Sequence, residues 1–422
     1  MNKILFLFYS LFLCLFMGAF QFAGSAYAQT SDSVLFSLII KNGHVIDPAN
    51  DIDGVMDIAI NDGKIALVAE NIDARATQVV DAEGMVVTPG LIDIYWTLGD
   101  MPPDGFTFKV GVTTVANGSG VDWRSFPDYK RNLIDRSQTR VFTFLGLNGD
   151  GYQGGAGEIN TGDVEAQMSA RMARMYPDDI VGFQTTGQNF DAVNRAVEAG
   201  NQADLPVLTD GGRKHPQNSL AELFTTHLRP GDIYTHTYTI LEDFNARETI
   251  VDIQTEELRP HILEAQERGI VFDVGHGSAF RYSLAIPAMN SGFYPNTIST
   301  NLSRGSMNAF AKDMLNVMSK FLAMGMELPD VIEASTWSPA KAIRHEELGH
   351  LSPGAVADVA ILSVREGEFG YFETAGYRMD GDRKLECEMT IRGGRIVWDL
   401  NGIADPLNNY YRDGSQFRGH RF

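Results

Sequence analysis

Residues Pro89-Gly90-Leu91-Ile92-Asp93 form a short apolar run after a hairpin-rich segment, and they begin the part of the sequence that decides the fold. From here to about residue 300, runs typical of buried strands alternate with helix-like stretches, such as 163–175, 191–199, 260–268 and 309–324. The strand-like runs end near Asp93, Val115, Leu145, Phe183, Leu208, Tyr234, Val274 and Ser299. Eight such units close a barrel whose functional residues follow the strand ends. The sequence therefore predicts an α/β fold with a (β/α)8 TIM-like barrel over residues 89–345.

The segments on both sides of the predicted barrel have the sequence pattern of antiparallel β structure. Asn42-Gly43 and Asp62-Gly63 lie between apolar runs, where glycine supplies the positive φ of a hairpin turn. Similar strands return at 357–362 and 389–398. We therefore expect a small β-sandwich domain built from residues 29–88 and 346–400, followed by a C-terminal tail over 401–422.

Charge and the N-terminus limit the partners and the location of the protein. The chain has 34 basic and 54 acidic residues and a net charge of −20, which disfavours nucleic acid and anionic lipid as partners. Lys3, an apolar run over 4–20 and Ala26-Tyr27-Ala28 together predict a signal peptide over 1–28, hence a periplasmic or secreted protein. An uncleaved anchor is the alternative; no later segment is apolar enough to span a membrane. After cleavage Cys387 is the remaining cysteine, which excludes an intrachain disulfide.

Several motifs resemble the amidohydrolase superfamily, in particular its amidohydrolase/deacetylase subgroup, which is related to dihydroorotase. They are Pro89-Gly90-Leu91-Ile92-Asp93, Gly111-Val112-Thr113-Thr114-Val115, Phe272-Asp273-Val274-Gly275-His276-Gly277, Asn296-Thr297-Ile298-Ser299-Thr300 and the segment 334–342. They occur in the family's order along nearly the whole mature chain. The resemblance implies a barrel with two metal ions and hydrolysis of amides, acylated amino acids or cyclic imides.

Five of the six positions that the resemblance assigns to metal ligands carry other residues. Tyr95 and Thr97 stand where the family has two histidines, and Gln184 replaces a carboxylated lysine. Asp210 replaces a histidine, and Asn301 replaces the aspartate that acts as general base. The sixth ligand is retained as His236. Because neutral amide, hydroxyl and phenol groups are poor ligands of zinc-type ions, we expect the binuclear metal site to be absent.

The replacements are all polar, which indicates a maintained pocket. Asp210 and His236 lie on neighbouring strands and are predicted to form a proton-handling catalytic pair. The residues predicted to bind substrate are Tyr95, Thr97, Gln184, His276, Asn301 and Arg281. His276 can also be interpreted as a packed loop residue, and Arg281 as a solvated one.

Three functions remain open at this stage. The first is metal-independent chemistry on a small polar substrate. The second is a pseudoenzyme that binds a small ligand without turnover, and a ligand-free polar plug would satisfy the same polarity. The third is a mononuclear amide or ester hydrolase with one zinc-type ion on Asp210, His236 and a third donor such as His276. The sequence leaves the oligomeric state open, including a homo-oligomer.

Methionines at helical spacing, namely Met168, Met172, Met175, Met314, Met318 and Met324, are interpreted as core residues rather than as copper ligands.

Overall fold

The computed structural model describes residues 35–99, 101–118, 120–147, 166–186, 190–210, 219–240 and 248–404. The predicted signal peptide and all but residues 401–404 of the predicted tail lie outside these ranges, so both stay predictions. No helix within the described ranges is long and apolar enough to cross a membrane.

The two ends of the chain combine in one mixed sheet of eight strands. Its strands are β1 (Leu35–Asp47), β2 (Ile52–Asn61), β3 (Lys64–Ala69), β4 (Arg75–Asp81), β5 (Val86–Pro89), β13 (Val359–Phe372), β14 (Arg378–Arg392) and β15 (Arg395–Asp399). Their order is β15-β14-β13-β5-β1-β2-β3, and β4 also pairs with β1. The turn between β2 and β3 has Asp62 at φ 50° and Gly63 at φ 75°, the left-handed geometry expected of a hairpin. The prediction of a small β domain built from N- and C-terminal segments is confirmed, and the strands of the predicted β-sandwich belong to one mixed sheet.

The middle of the chain forms the barrel. Seven parallel strands follow in order as β6 (Leu91–Trp96), β7 (Val112–Asn117), β8 (Arg140–Gly146), β9 (Ile180–Thr186), β10 (Val207–Asp210), β11 (Ile233–Thr235) and β12 (Val271–Phe272). The segment 297–302 is the eighth strand, because Thr297 forms a parallel bridge with Asp273 and Leu302 forms one with Trp96. These bridges close the ring between β12 and β6. The predicted (β/α)8 barrel is therefore confirmed.

Helices pack around the barrel and cover its apolar outer face. They are α1 (Asp104–Thr107), α2 (Phe126–Asn132), α3 (Ala166–Met175), α4 (Phe190–Ala203), α5 (Leu220–Glu222), α6 (Pro260–Glu267), α7 (Tyr282–Asn290), α8 (Met314–Ala323), α9 (Leu328–Glu333) and α10 (Trp337–Ala342). Met314 and Met318 are buried, as predicted. The same interpretation is wrong for two residues of α3, since Met168 is 36% and Met175 is 59% exposed, whereas Met172 is partly buried against the core. That helix instead packs its small residues, such as Ala170 and Ala173, against the barrel.

A buried carboxylate joins the first and eighth strands. Asp93 is 1% exposed and accepts hydrogen bonds from the backbone N–H of Thr300 at 3.0 Å and from its hydroxyl at 2.5 Å. Burial disfavours the charged form of the carboxyl group and raises the pKa of Asp93 to about 7. Asp93 is therefore part of the seam that closes the barrel.

The hairpin of β13 and β14 extends beyond the sheet and packs on α8. The backbone N–H of Leu385 donates to the hydroxyl of Ser319 at 3.0 Å. Near the tip of the hairpin, the carboxylate of Glu373 accepts a hydrogen bond from the backbone N–H of Tyr282, at the start of α7. The hairpin thus reaches the loops that follow the seventh and eighth strands.

Candidate functional site

Three of the predicted site residues are joined by hydrogen bonds at the strand ends. Asn301, in the eighth strand, accepts a hydrogen bond through Oδ1 from the hydroxyl of Thr97 at 2.6 Å. Its Nδ2 lies 3.1 Å from Nε2 of His236, which follows β11. Because the amide nitrogen is a donor, Nε2 of His236 is the acceptor, and the imidazole is neutral with its proton on Nδ1. The amide of Asn301 thus fixes the orientation of the His236 ring.

Asp210 and His236 are neighbours but do not form a hydrogen bond. Nε2 of His236 lies 3.8 Å from Oδ2 of Asp210, at the end of β10. This separation is too long for a hydrogen bond, whereas it suits an ion pair if the imidazole is protonated. Asn301, rather than Asp210, is the hydrogen-bond partner of Nε2 in this structure.

Tyr95 forms the wall beside His236. The two rings pack edge to face, with centroids 5.3 Å apart and planes at 85°. Tyr95 is 2% exposed, and a Cβ atom at Gly118 would lie only 2.3 Å from its ring. Glycine at position 118 is therefore required for Tyr95 to lie against His236.

The backbone around His236 is in an unusual conformation. His236 and Asn301 have φ values of 59° and 42°, although neither is a glycine. Gly275 and Gly277, in the loop after β12, have φ values of 47° and 49°. Cβ atoms at these two glycines would lie 2.8 Å from the backbone nitrogen of His236 and from Nδ2 of Asn301, respectively. A non-glycine residue with a positive φ costs free energy, and such residues often occur at functional sites.

The other predicted site residues occupy different surroundings. Gln184 is 3% exposed on β9, paired in register with Leu208 of β10. His276 is fully buried, and its ring stacks on Phe280 at 4.7 Å. The guanidinium of Arg281 donates to the carbonyl of Phe280 at 3.1 Å. The roles predicted for Gln184, His276 and Arg281 stay predictions.

Sequence reasoning missed the group that holds His276. Nε2 of His276 lies 2.7 Å from Nζ of Lys320, which is 0% exposed on α8. Nδ1 lies 2.9 Å from the carbonyl oxygen of Gly277. Both ring nitrogens are therefore engaged within the protein. The available signal was a lysine inside the otherwise apolar run Met314–Ala323.

The barrel, the outer sheet and the polar cluster at the strand ends define a (β/α)8 barrel protein with a polar site at the strand ends. No family model matches the chain. A deacetylase of Enterococcus faecalis is 26% identical over 384 residues, which cover 86% of this chain and 99% of that protein. A deacetylase of Agrobacterium fabrum is 27% identical over 80% of this chain and 85% of its own length. The crystal structure of an adenine deaminase superposes with a TM-score of 0.78 at 26% identity, covering 86% of this chain and 100% of that one. The chain is similar to these proteins over most of its length, and this similarity supports membership of the amidohydrolase superfamily.

The residues at the strand ends do not fit the two metal ions that the resemblance implies. Among the six positions, Asp210 and His236 are the two that carry strong ligand groups, and Nε2 of His236 already accepts from Asn301. His276, the suggested third donor, has both nitrogens engaged. Across the part of the chain that the structure describes, no three His, Cys, Asp or Glu side chains are grouped to hold an ion. Zinc sites use three or four such donors.

Proposed function

We propose that this protein lacks the binuclear metal site and carries out metal-independent proton transfer on a small polar substrate, with His236 as the base. The observation on which the proposal depends is the hydrogen-bond chain from Thr97 through Asn301 to Nε2 of His236. In this series of hydrogen bonds the imidazole of His236 is neutral, and its Nε2 lies 3.8 Å from Oδ2 of Asp210. A neutral imidazole next to a carboxylate can act as a general base.

The proton transfer can be written from the residues of the site. A water molecule replaces Asn301 as the hydrogen-bond donor to Nε2 of His236. One O–H bond of the water breaks as its proton bonds to Nε2, and the water oxygen forms a bond to the carbonyl carbon of the substrate. The imidazolium that forms is stabilised by Asp210 across the 3.8 Å gap. The carbon–nitrogen bond then breaks with its electron pair on nitrogen, which takes the proton from Nε2, so that the acid and the amine leave and the neutral ring is restored.

The substrate class that we propose is amides and acylated amino acids. The similar proteins described above are named deacetylases and an adenine deaminase, and a dihydroorotase structure shares the fold with a TM-score of 0.74. These names describe those proteins, and the name deacetylase denotes the removal of an acetyl group. The hydroxyl and amide groups of Thr97 and Asn301 are suited to hydrogen bonding with amides and acylated amino acids. We also propose that the protein is exported, which N-terminal sequencing of the mature protein from a periplasmic fraction tests.

The alternative of a binding protein without turnover is favoured by one observation. Because Nε2 of His236 is engaged by Asn301, the imidazole in this structure is a fixed acceptor rather than a free base. A ligand could then bind by hydrogen bonds alone, and no bond of the ligand would break.

The deciding experiment compares His236→Ala with His44→Ala on protein washed with chelator. His44 is a half-exposed histidine of β1 in an ion pair with Asp53, and it serves as the matched control. Acetate release from a panel of N-acetyl amino acids is measured together with their binding by calorimetry. We expect turnover to fall by about 10²-fold or more in His236→Ala and to stay unchanged in His44→Ala. Binding without acetate release in the native protein would instead support the binding protein.

Metal content is measured on the same preparation before the chelator wash. We expect less than one equivalent of transition metal per chain and turnover that survives chelation. One tightly held ion whose removal abolishes turnover would support the mononuclear hydrolase and contradict the proposal.

A further inference from the structure

A buried lysine lies behind the site and is not explained by the proposed function. Lys320 is 0% exposed on α8, although lysine is among the residue types least often buried. A buried lysine has a free-energy cost unless its ammonium group is hydrogen-bonded. Its partners therefore indicate what its burial achieves.

Three acceptors from three distant parts of the chain surround Nζ of Lys320. The carbonyl oxygen of Phe310, after the eighth strand, lies at 2.7 Å, and that of Phe372, at the end of β13, lies at 2.9 Å. The third acceptor is Nε2 of His276, at 2.7 Å. An ammonium group has three N–H bonds and no acceptor, so these three partners match its charged form.

The surrounding charges are arranged around this ammonium group. Burial and, to a smaller extent, the nearby Lys312 lower the pKa of Lys320 to about 7, whereas Glu373 acts in the opposite direction. Burial and Lys320 together hold the pKa of His276 well below its usual value, so the imidazole is neutral. A neutral imidazole has one ring nitrogen that accepts, so Nε2 of His276 accepts the hydrogen bond that Nζ of Lys320 donates.

The hydrogen bond from Lys320 fixes the tautomer of His276. Since Nε2 accepts from Lys320, the ring proton must be on Nδ1, and it donates to the carbonyl oxygen of Gly277 at 2.9 Å. The ring cannot turn easily, because it stacks on Phe280 with planes at 11°. Lys320 thus donates to His276, and His276 donates to the carbonyl oxygen of Gly277.

Gly277 connects the hydrogen bonds of Lys320 and His276 to the site. A Cβ atom at Gly277 would lie 2.8 Å from Nδ2 of Asn301 and 3.4 Å from Cε1 of His236. The backbone N–H of Gly277 also donates to the carbonyl of Thr300 at 2.9 Å, next to Asn301. A shift of the Gly277 peptide would therefore displace the amide that orients His236.

We infer that Lys320 is a positioning residue that sets the tautomer of His276 and, through Gly277, holds Asn301 and His236 in place. It also ties the tip of the outer-sheet hairpin, through Phe372, to the loops of the barrel. The catalytic consequence of this inference rests on the proposed function, whereas the positioning itself does not.

The test uses the full-length protein with 15N-labelled histidine and NMR detection of ring nitrogens, so it needs no substrate. The His276 signals are assigned by their loss in His276→Gln. In the native protein we expect a neutral His276 with the proton on Nδ1. A proton on Nε2 in the native protein would overturn the inference before any further variant is made.

Lys320→Met is compared with Lys312→Met, which removes a neighbouring exposed positive charge but no hydrogen bond to His276. We expect Lys320→Met to lose the single Nδ1-protonated form of His276 and to shift the His236 signals. Lys312→Met should leave both unchanged. A folded Lys320→Met protein that keeps the native signals of both histidines would mean that Lys320 only supports stability, and the inference would be wrong.

A second pair of variants decides the question if Lys320→Met does not fold. In His276→Gln the amide can accept from Lys320 and donate to Gly277, whereas in His276→Leu neither bond can form. We expect the His236 signals to stay native in the glutamine variant and to shift in the leucine variant. Native His236 signals in both variants would overturn the inference.

If the proposed function fails and no substrate is turned over, these spectra still decide whether Lys320 positions the site. If the variants keep the native histidine signals and turnover is found, the proposed function is supported and the positioning role of Lys320 is wrong.

Discussion

The buried carboxyl group at the barrel seam makes the stability of the protein depend on pH in a defined direction. The pKa of Asp93 is raised from 3.8 to about 7 by burial, so the folded protein binds a proton more tightly than the unfolded chain. Its contribution to the free energy of unfolding is therefore fully present below pH 3.8 and is lost as pH rises through about 7. From these two pKa values, we expect a loss of about 3 kcal/mol between about pH 5 and about pH 8.5.

Asp93→Asn isolates this effect. The amide is isosteric with the protonated carboxyl group and can keep both bonds to Thr300, accepting from its N–H and donating to its hydroxyl. The free energy of unfolding is measured in urea for both proteins at the two pH values, and other carboxyl groups cancel in the comparison. Native protein should lose about 3 kcal/mol more than the variant over this range. Asp62→Asn, in the exposed turn between β2 and β3, is the control. A difference between native protein and Asp93→Asn that does not change with pH would refute the argument.

Three further predictions concern packing and metal content. Gly277→Ala should lower the free energy of unfolding by about 1–3 kcal/mol in urea, because its φ is 49° and the new Cβ would meet Asn301 at 2.8 Å. Gly84→Ala, at φ 75° with nothing within 4 Å, should cost less, and equal losses would show that the contact is irrelevant. Phe224→Ala should cost about 3–5 kcal/mol, because the ring is 0% exposed. The control Phe372→Ala, at a ring 47% exposed, should change stability by less than about 1 kcal/mol, and similar losses for both would contradict the burial argument. Dialysis against chelator should leave the melting temperature unchanged, and a fall that zinc reverses would contradict the proposed loss of the metal site.

The architecture could be predicted from the sequence because its signals are local. An Asp-Gly turn between apolar runs at positions 62 and 63 requires only neighbouring residues, and the alternation of strand-like and helix-like runs shows the barrel. Boundaries were less accurate. The helix predicted over 309–324 begins at Met314, because Lys312 has a φ of 59° and the carboxylate of Asp313 caps the helix by accepting from Asn316 N–H. Helical periodicity contains no information about such a cap.

The sequence predicts which residues lie together in the site, but it does not predict the hydrogen bonds between them. Strand ends of a closed barrel meet, so Thr97, Asp210, His236 and Asn301 were expected to be neighbours. That Asn301 rather than Asp210 bonds Nε2 depends on side-chain orientation at two residues with left-handed backbone. Lys320 was missed for a similar reason. Two of its three partners are backbone carbonyls of residues far along the chain, and no pattern of side chains identifies a carbonyl.

The pairing of β5 with β13 has a mechanical consequence. Val86–Pro89 lead directly into the first barrel strand, and they are hydrogen-bonded to Val359–Leu362, which follow the last barrel helix. Val86 pairs with Leu362, so a force applied between the two ends of the chain must unzip this antiparallel pair from that end before any tension reaches the barrel. In a single-molecule pulling experiment, the outer sheet should unfold first. The barrel should extend only after the pair of β5 and β13 has separated.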